Sequence, residues 1–263
     1  MNFVSAVSRT ASATLLLALS TVIAPAVERP GKPACTVSAE ALSAGHWFAR
    51  TAARLEQAKP LTIVAIGSSS TFGVGASSSS AAYPARLEAL LKERFPDASI
   101  KVLNRGINGE DAPEMLARFS RDVVEQKPDL VLWQVGTNTL LHNPGISGQG
   151  SLIRQGIERA KSTGADVVLI DPQYAPVVIA RPHALRMVEL IRAEARDEGA
   201  GLFRRFALMR SWYEERHLSF ADFVSPDGLH MNDWGYDCIA RQLAGAIDAA
   251  VTKPATTAAI AVH

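Results

Sequence analysis

Short, unbroken apolar runs recur along the chain between amphipathic stretches, and this alternation constrains the fold more than any other feature. Leu61–Ile66 (LTIVAI) is rich in β-branched residues and stops at Gly67. Ser99–Leu103 (SIKVL), Asp129–Val135 (DLVLWQV) and Asp166–Ile170 (DVVLI) repeat the element, and Gly201–Phe203 begins a weaker fifth. Continuous runs belong to strands covered on both faces, because a strand with one wet face alternates apolar and polar residues. Between them, Pro84–Arg94, Ala112–Gln126, Gly150–Ser162 and His183–Glu198 carry apolar residues at three- and four-residue spacing, as at Leu87, Leu90 and Leu91. The alternation predicts βαβ units: an α/β fold with a parallel sheet of about five strands and helices on both faces, a three-layer α/β/α sandwich. A last helix follows Asn232, a suitable N-cap, with Tyr236, Ile239, Ala240, Leu243 and Ile247 along its apolar stripe.

The flanks of this domain, which spans 61–251, read differently. Arg9 is the only charge before Glu28, an apolar run extends from Ala13 to Ala24, and Ala24-Pro25-Ala26 offers a small-x-small cleavage site. Residues 1–26 therefore read as a signal peptide cut after Ala26, which makes the mature chain secreted or periplasmic. A membrane anchor would need roughly 20 apolar residues, and the run falls short; no stable membrane insertion is expected after cleavage. Residues 27–40 are polar and Pro-rich and 41–58 read as a helix stopped by Lys59-Pro60, so 27–60 form a lead-in. Residues 252–263 read as a flexible tail, and Ser77–Ser80 as a flexible loop. In an oxidising compartment the two cysteines, Cys35 and Cys238, form either one disulfide between the N-terminal segment and the last helix or two unpaired thiols. A formal net charge of +1 gives nucleic acid or an anionic membrane no electrostatic footing. His, Asp and Glu do not cluster at metal-ligand spacing, so neither metal nor cofactor is expected.

Ligands of open parallel sheets sit beyond the carboxyl ends of the strands, so the residues that follow each strand matter most. After the first comes Gly67-Ser68-Ser69-Ser70-Thr71-Phe72-Gly73. It matches neither GxGxxG nor the phosphate loop GxxxxGK, and Thr71 stands where the elbow GxSxG needs its second glycine. After the second comes Asn104-Arg105-Gly106-Ile107-Asn108-Gly109-Glu110, after the third Gly136-Thr137-Asn138, and near the C-terminus Asp227-Gly228-Leu229-His230. Each alone fits a polar turn. Together they offer a hydroxyl, N–H groups beside glycines, an amide donor and an Asp/His pair, the inventory of acyl transfer. Asp171, after the fourth strand, is a rival acid. His46, His142, His183, His217 and His263 read as structural or surface residues, Trp133 as core, and Arg204, Arg205 and Arg210 as a solvated helix face.

From about Leu61 to Ala250 the chain resembles the SGNH hydrolase superfamily, the GDSL-type esterases and lipases, in four blocks that occur in order. The resemblance implies a flavodoxin-like sheet. It makes Ser69 the nucleophile, Asp227 and His230 its triad partners, and Ser69, Gly109 and Asn138 the oxyanion donors. The block that usually reads Gly-Asp-Ser-x-Thr departs at one position, where Ser68 replaces aspartate. The function implied is a secreted serine esterase acting on small-molecule or carbohydrate esters, including O-acetylated carbohydrate. Two alternatives are an O-acyltransferase on an extracellular polysaccharide and a non-catalytic polysaccharide-binding or assembly protein.

Overall fold

The structure, a computed structural model, describes residues 1, 35, 47–142 and 145–252. The expected signal peptide with its cleavage site, residues 27–34 and 36–46 of the lead-in, and 253–263 of the tail lie outside the described residues. In chain order the elements are α1 (Ala49–Glu56), β1 (Leu61–Gly67), α2 (Ser69–Phe72), α3 (Tyr83–Arg94), β2 (Ile100–Gly106), α4 (Ala112–Ala117), α5 (Phe119–Asp122), β3 (Leu130–Gln134) and α6 (Thr137–His142). There follow α7 (Gln149–Lys161), β4 (Asp166–Ile170), α8 (Pro176–Ile179), α9 (Ala184–Asp197), β5 (Gly201–Phe203), α10 (Arg205–Glu214), α11 (Phe220–Phe223) and α12 (Asp233–Thr252).

The five strands are parallel, in the order β2-β1-β3-β4-β5. This is the flavodoxin-like order, with its switch point between β1 and β3. Alternate residues of the three inner strands, β1, β3 and β4, serve two separate cores. Ile63, Ala65, Leu130, Leu132, Val168 and Ile170 pack with residues of α3, α10 and α12. Val64, Ile66, Val131, Trp133, Val167 and Leu169 pack with α4, α5, α7 and α9. Two buried faces explain why the strand sequences lack polar alternation. Trp133 is wholly buried, and α7 reaches the sheet there only because it presents Gly156; a Cβ at that position would collide with the indole ring. The register sets Gly67 beside Gly106 and Gln134 beside Ile170, so the carboxyl ends of β2, β1, β3 and β4 finish along one edge.

Several expectations change. The helix read over 112–126 is broken: α4 and α5 flank Arg118, and a 3₁₀ turn covers Val124–Gln126. Arg118 turns inward at the break, where it is bonded to Glu110, Asp122 and the Gly67 carbonyl. Ser77–Ser80 is held rather than free: Ser77 donates its N–H and hydroxyl to Asp233 at 2.7 and 2.6 Å, and Ser79–Ala81 forms a 3₁₀ turn. Arg205 is not on a solvated face but is 1% exposed, because it opens α10 directly beneath the end of β4 and bonds to the Asp171 carbonyl. α12 runs through Thr252, one residue into the expected tail, and Asn232 caps it by accepting the Gly235 N–H at 3.1 Å. Cys35 and Cys238 form a disulfide, with 5.4 Å between Cα atoms.

Candidate active site

The turn after β1 is tight. A Cβ on Gly67 would collide with Thr71 Oγ1 and Gln134, so only glycine fits there. Ser69 then begins α2, and its N–H belongs to a first turn, where helical N–H groups have no partner within the helix. Ser68 is 1% exposed and is bonded to Gln134, and Thr71 lies beneath with its hydroxyl 3.3 Å from that of Tyr83. Ser69 itself is half-buried and faces the loop between α11 and α12.

That loop carries His230. It is pinned by an antiparallel bridge between Val224 and Met231 and by the Ser225 N–H, which donates to the His230 carbonyl at 2.7 Å. His230 Nδ1 lies 2.6 Å from Asp227 Oδ2, and Nε2 lies 2.7 Å from Ser69 Oγ. An ionised carboxylate only accepts, so the proton sits on Nδ1 and Nε2 is left to accept the serine hydroxyl. Asp227 Oδ1 accepts three bonds, from the Ser225 hydroxyl (2.7 Å) and from the Leu229 and His230 N–H groups (2.8 and 2.9 Å). Burial alone would raise this carboxyl. The bonds from the His230 ring and backbone, Leu229 and Ser225 outweigh burial and hold it well below the usual carboxylate range.

The donor side is built from the ends of β2 and β3. Asn138, in α6, is 5% exposed, and its Nδ2 donates to the Glu110 carbonyl at 2.7 Å. One of its two amide hydrogens is used in this bond. Glu110 directly follows Gly109, which turns with φ +81° and leaves open space where a Cβ would stand. Asn138 is thereby tied to the loop that carries the Gly109 N–H. Arg118 joins this loop to the turn that carries Ser69, donating to Glu110 Oε2 at 2.6 Å and to the Gly67 carbonyl at 3.2 Å. The Ile107 N–H reaches the same carbonyl at 3.0 Å.

Asp171 is elsewhere. It is fully buried, its Oδ1 accepts the Phe206 N–H at 2.8 Å, and burial pushes its carboxyl up to about 7. It lines a cavity of about 360 Å³ with Arg204, Phe206 and Ser211, to which Ser69, Asn138, Asp227 and His230 do not contribute. Gly75 escaped the sequence reading. It has φ +89°, and a Cβ there would strike the Met231 carbonyl and lie 3.0 Å from His230 Cβ, so the loops bearing Ser69 and His230 approach through it. Nothing in its Ser-rich surroundings marks it. Gln134 did leave a signal, as a polar residue in an otherwise apolar strand.

A sequence model of the non-GDSL lipase-like family matches residues 34–253. An acetylxylan esterase from Geobacillus stearothermophilus is 39% identical over 56 residues, 21% of this chain and 26% of that protein. Among solved structures, a two-domain esterase active on acetylated mannans is similar with a TM-score of 0.69 at 19% identity, over 82% of this chain and 56% of that one. A catalytic mutant of an acetylxylan esterase from Geobacillus stearothermophilus gives a TM-score of 0.60 at 21% identity, over 71% of this chain and 94% of that one. At these identities the structural likeness speaks to the fold, and this chain spans only part of the first two relatives. The family match covers the whole sheet and every loop of the candidate site, and the chain belongs to the non-GDSL lipase-like family, within the SGNH/GDSL-like hydrolase superfamily.

Proposed function

We propose that this protein is a serine esterase that forms an acyl-enzyme on Ser69, that its substrates are O-acetyl groups on a polysaccharide, and that it works outside the cytoplasm after cleavage following Ala26. The observation that carries the reading is the hydrogen-bonded series Ser69–His230–Asp227, at 2.7 and 2.6 Å. A serine hydroxyl is a weak nucleophile at neutral pH and needs a base in contact with it. Nε2 of His230 takes the proton as Ser69 Oγ bonds to the ester carbon, and the carbonyl electron pair moves onto oxygen. Asp227 fixes the tautomer and stabilises the imidazolium. Ser69 N–H, Gly109 N–H and the second Nδ2 hydrogen of Asn138 receive the oxyanion. As the carbonyl re-forms, the ester C–O bond breaks and His230 returns the proton to the departing sugar oxygen. Water, deprotonated by His230, then releases acetate and restores Ser69.

The acetylated-polysaccharide reading is supported by relatives that act on acetylated xylan and acetylated mannan. Action outside the cytoplasm is supported by the Cys35–Cys238 disulfide, a bond that persists in oxidising compartments. The test is acetate release from acetylated xylan and mannan, beside aryl esters of increasing chain length, by the parent and by Ser69→Ala. The parent should release acetate and the variant should lose that activity. Equal rates in the two, or hydrolysis confined to long-chain esters, would overturn the reading.

A further inference from the structure

A second set of buried polar residues lies behind the site, and the mechanism above does not use it. Gln173, just past β4, is 0% exposed; Arg205, the first residue of α10, is 1% exposed. Gln173 Oε1 accepts from Arg205 Nη2 at 2.9 Å and from the Thr137 hydroxyl at 3.0 Å. Gln173 Nε2 donates to the Leu229 carbonyl at 3.1 Å. Thr137 immediately precedes Asn138, and Leu229 immediately precedes His230. One side chain therefore spans the donor side and the base side of the site.

The geometry points to Gln173, oriented by Arg205, as the positioning residue that keeps Asn138 and His230 in register with each other; this rests on the serine-esterase reading. An amide can turn over, and in the wrong orientation it would set its oxygen against the Leu229 carbonyl. Arg205 removes that freedom. A guanidinium has donors only, so the Gln173 atom facing it must be oxygen. That oxygen has two lone pairs, taken by Arg205 and Thr137, and the NH₂ is left for Leu229. Arg205 is itself fixed, because its Nε donates to the Asp171 carbonyl at 2.9 Å. With Gln173 and Arg205 both shielded from water, solvent does not compete for these bonds. A wholly buried guanidinium is costly to desolvate, and burial pulls its pKa down against the opposing pull of Asp171. A fixed relationship between the two halves of the site is what that cost secures. The His230 loop is tied to the segment after β4 a second time, by the Val177 N–H on the Gly228 carbonyl at 3.1 Å, but that bond does not reach Thr137.

The test uses Gln173→Glu and Thr137→Val in the full chain. At pH 8, above the value of about 7 to which burial lifts the Asp171 carboxyl beside the same guanidinium, the introduced carboxylate is ionised; it keeps an oxygen for Arg205 and Thr137 but turns its second oxygen on the Leu229 carbonyl. Thr137→Val preserves shape and removes only the hydroxyl. With 4-nitrophenyl acetate, Gln173→Glu should lower kcat about 10- to 100-fold, as small misplacements of reacting groups do, with KM within about twofold. Thr137→Val should lower kcat by about 3- to 10-fold on the same argument. The downfield proton NMR signal of His230 Nδ1–H should shift in Gln173→Glu. If that variant does not fold, Thr137→Val decides alone. Parent-like kcat and an unshifted resonance in a folded variant overturn the inference, as does a loss of kcat that only follows the folded fraction. A parent inactive on every ester would overturn the esterase reading instead, and the resonance would still decide whether Gln173 positions His230.

Discussion

Gln134 Oε1, at the end of β3, accepts both the N–H of Ser68 at 2.9 Å and its hydroxyl at 3.0 Å. Ser68 stands where the usual block carries aspartate, so an acceptor has been exchanged for a donor beside Ser69. Gln134 supplies the acceptor from the neighbouring strand, and the Thr71 hydroxyl adds a longer contact of 3.4 Å to the same oxygen. Gln134→Met would leave the N–H and hydroxyl of Ser68 buried without a partner, at a cost of about 1–3 kcal/mol for each. The expected result is a Tm lowered by several degrees and a kcat reduced roughly tenfold at nearly constant KM, since the turn loosens without touching the substrate. Thermal unfolding and steady-state kinetics measure both. An unchanged kcat would show that the turn holds Ser69 without Gln134.

Asn138→Ala tests the donor side. Loss of one oxyanion donor typically costs about 10²–10³ in kcat. The side chain also holds the Glu110 carbonyl, and a hydrogen bond of that kind contributes about 1 kcal/mol to stability. The variant should therefore stay folded, with a Tm a few degrees lower and a kcat at least a hundredfold down. Its labelling by a fluorophosphonate should slow in parallel, because that adduct needs the same donors. A variant within threefold of the parent in kcat would remove Asn138 from the mechanism.

Sheet and site were legible in the sequence to different depths. Four strands were read within a residue of their ends because two buried faces impose unbroken apolar runs, as in Leu61–Ile66 and Asp166–Ile170; β2, at the edge of the sheet and partly exposed, runs three residues beyond the expected Leu103, through Asn104 and Arg105 to Gly106. The four loop blocks could be placed because each directly follows a strand or precedes the last helix. Illegible were the contacts that join blocks. Gln134 lies 66 residues from Ser68, and only the parallel register of β1 against β3 brings them together. Arg205 reads as a solvated helix residue because charge on α10 is dense, and its burial depends on where β5 delivers the chain. The break at Arg118 is of the same kind. Local pattern favours one helix over 112–126, while the ion pairs with Glu110 and Asp122 and the bond to Gly67 pull the arginine inward.

The Cys35–Cys238 disulfide closes a loop of 203 residues and ends on α12, at a fully buried position. Removing a native disulfide of a secreted domain typically costs about 2–5 kcal/mol, most of it through the greater freedom of the unfolded chain. The double variant Cys35→Ala/Cys238→Ala should accordingly melt well below the parent while keeping most of its activity at 25 °C. Activity is spared because α12 is also fastened beside the site by Tyr236, whose hydroxyl donates to the Val74 carbonyl at 2.7 Å. Calorimetry and an aryl acetate assay on the same samples separate the two quantities. An equal Tm would mean that this cross-link does not form in the folded protein.

Asp171 predicts how stability changes with pH. Its carboxyl titrates near 4 in an unfolded chain and about 7 in the fold, raised by burial against the pull of Arg205 and the Phe206 N–H. The folded state therefore binds the extra proton between these values, and unfolding releases it. The contribution is complete below about pH 4, declines as the pH rises, and is gone above about pH 7; three units correspond to at most roughly 4 kcal/mol. Asp171→Asn keeps an oxygen for the Phe206 N–H and has no charge to bury. Its Tm should match the parent's near pH 4 and exceed it by roughly 5–15 °C at pH 8, on the usual scaling for a chain of this size. The measurement is Tm against pH for the two proteins. Parallel curves from pH 4 to 8 would mean that Asp171 ionises in the fold as easily as in the unfolded chain, and that Arg205 fully offsets its burial.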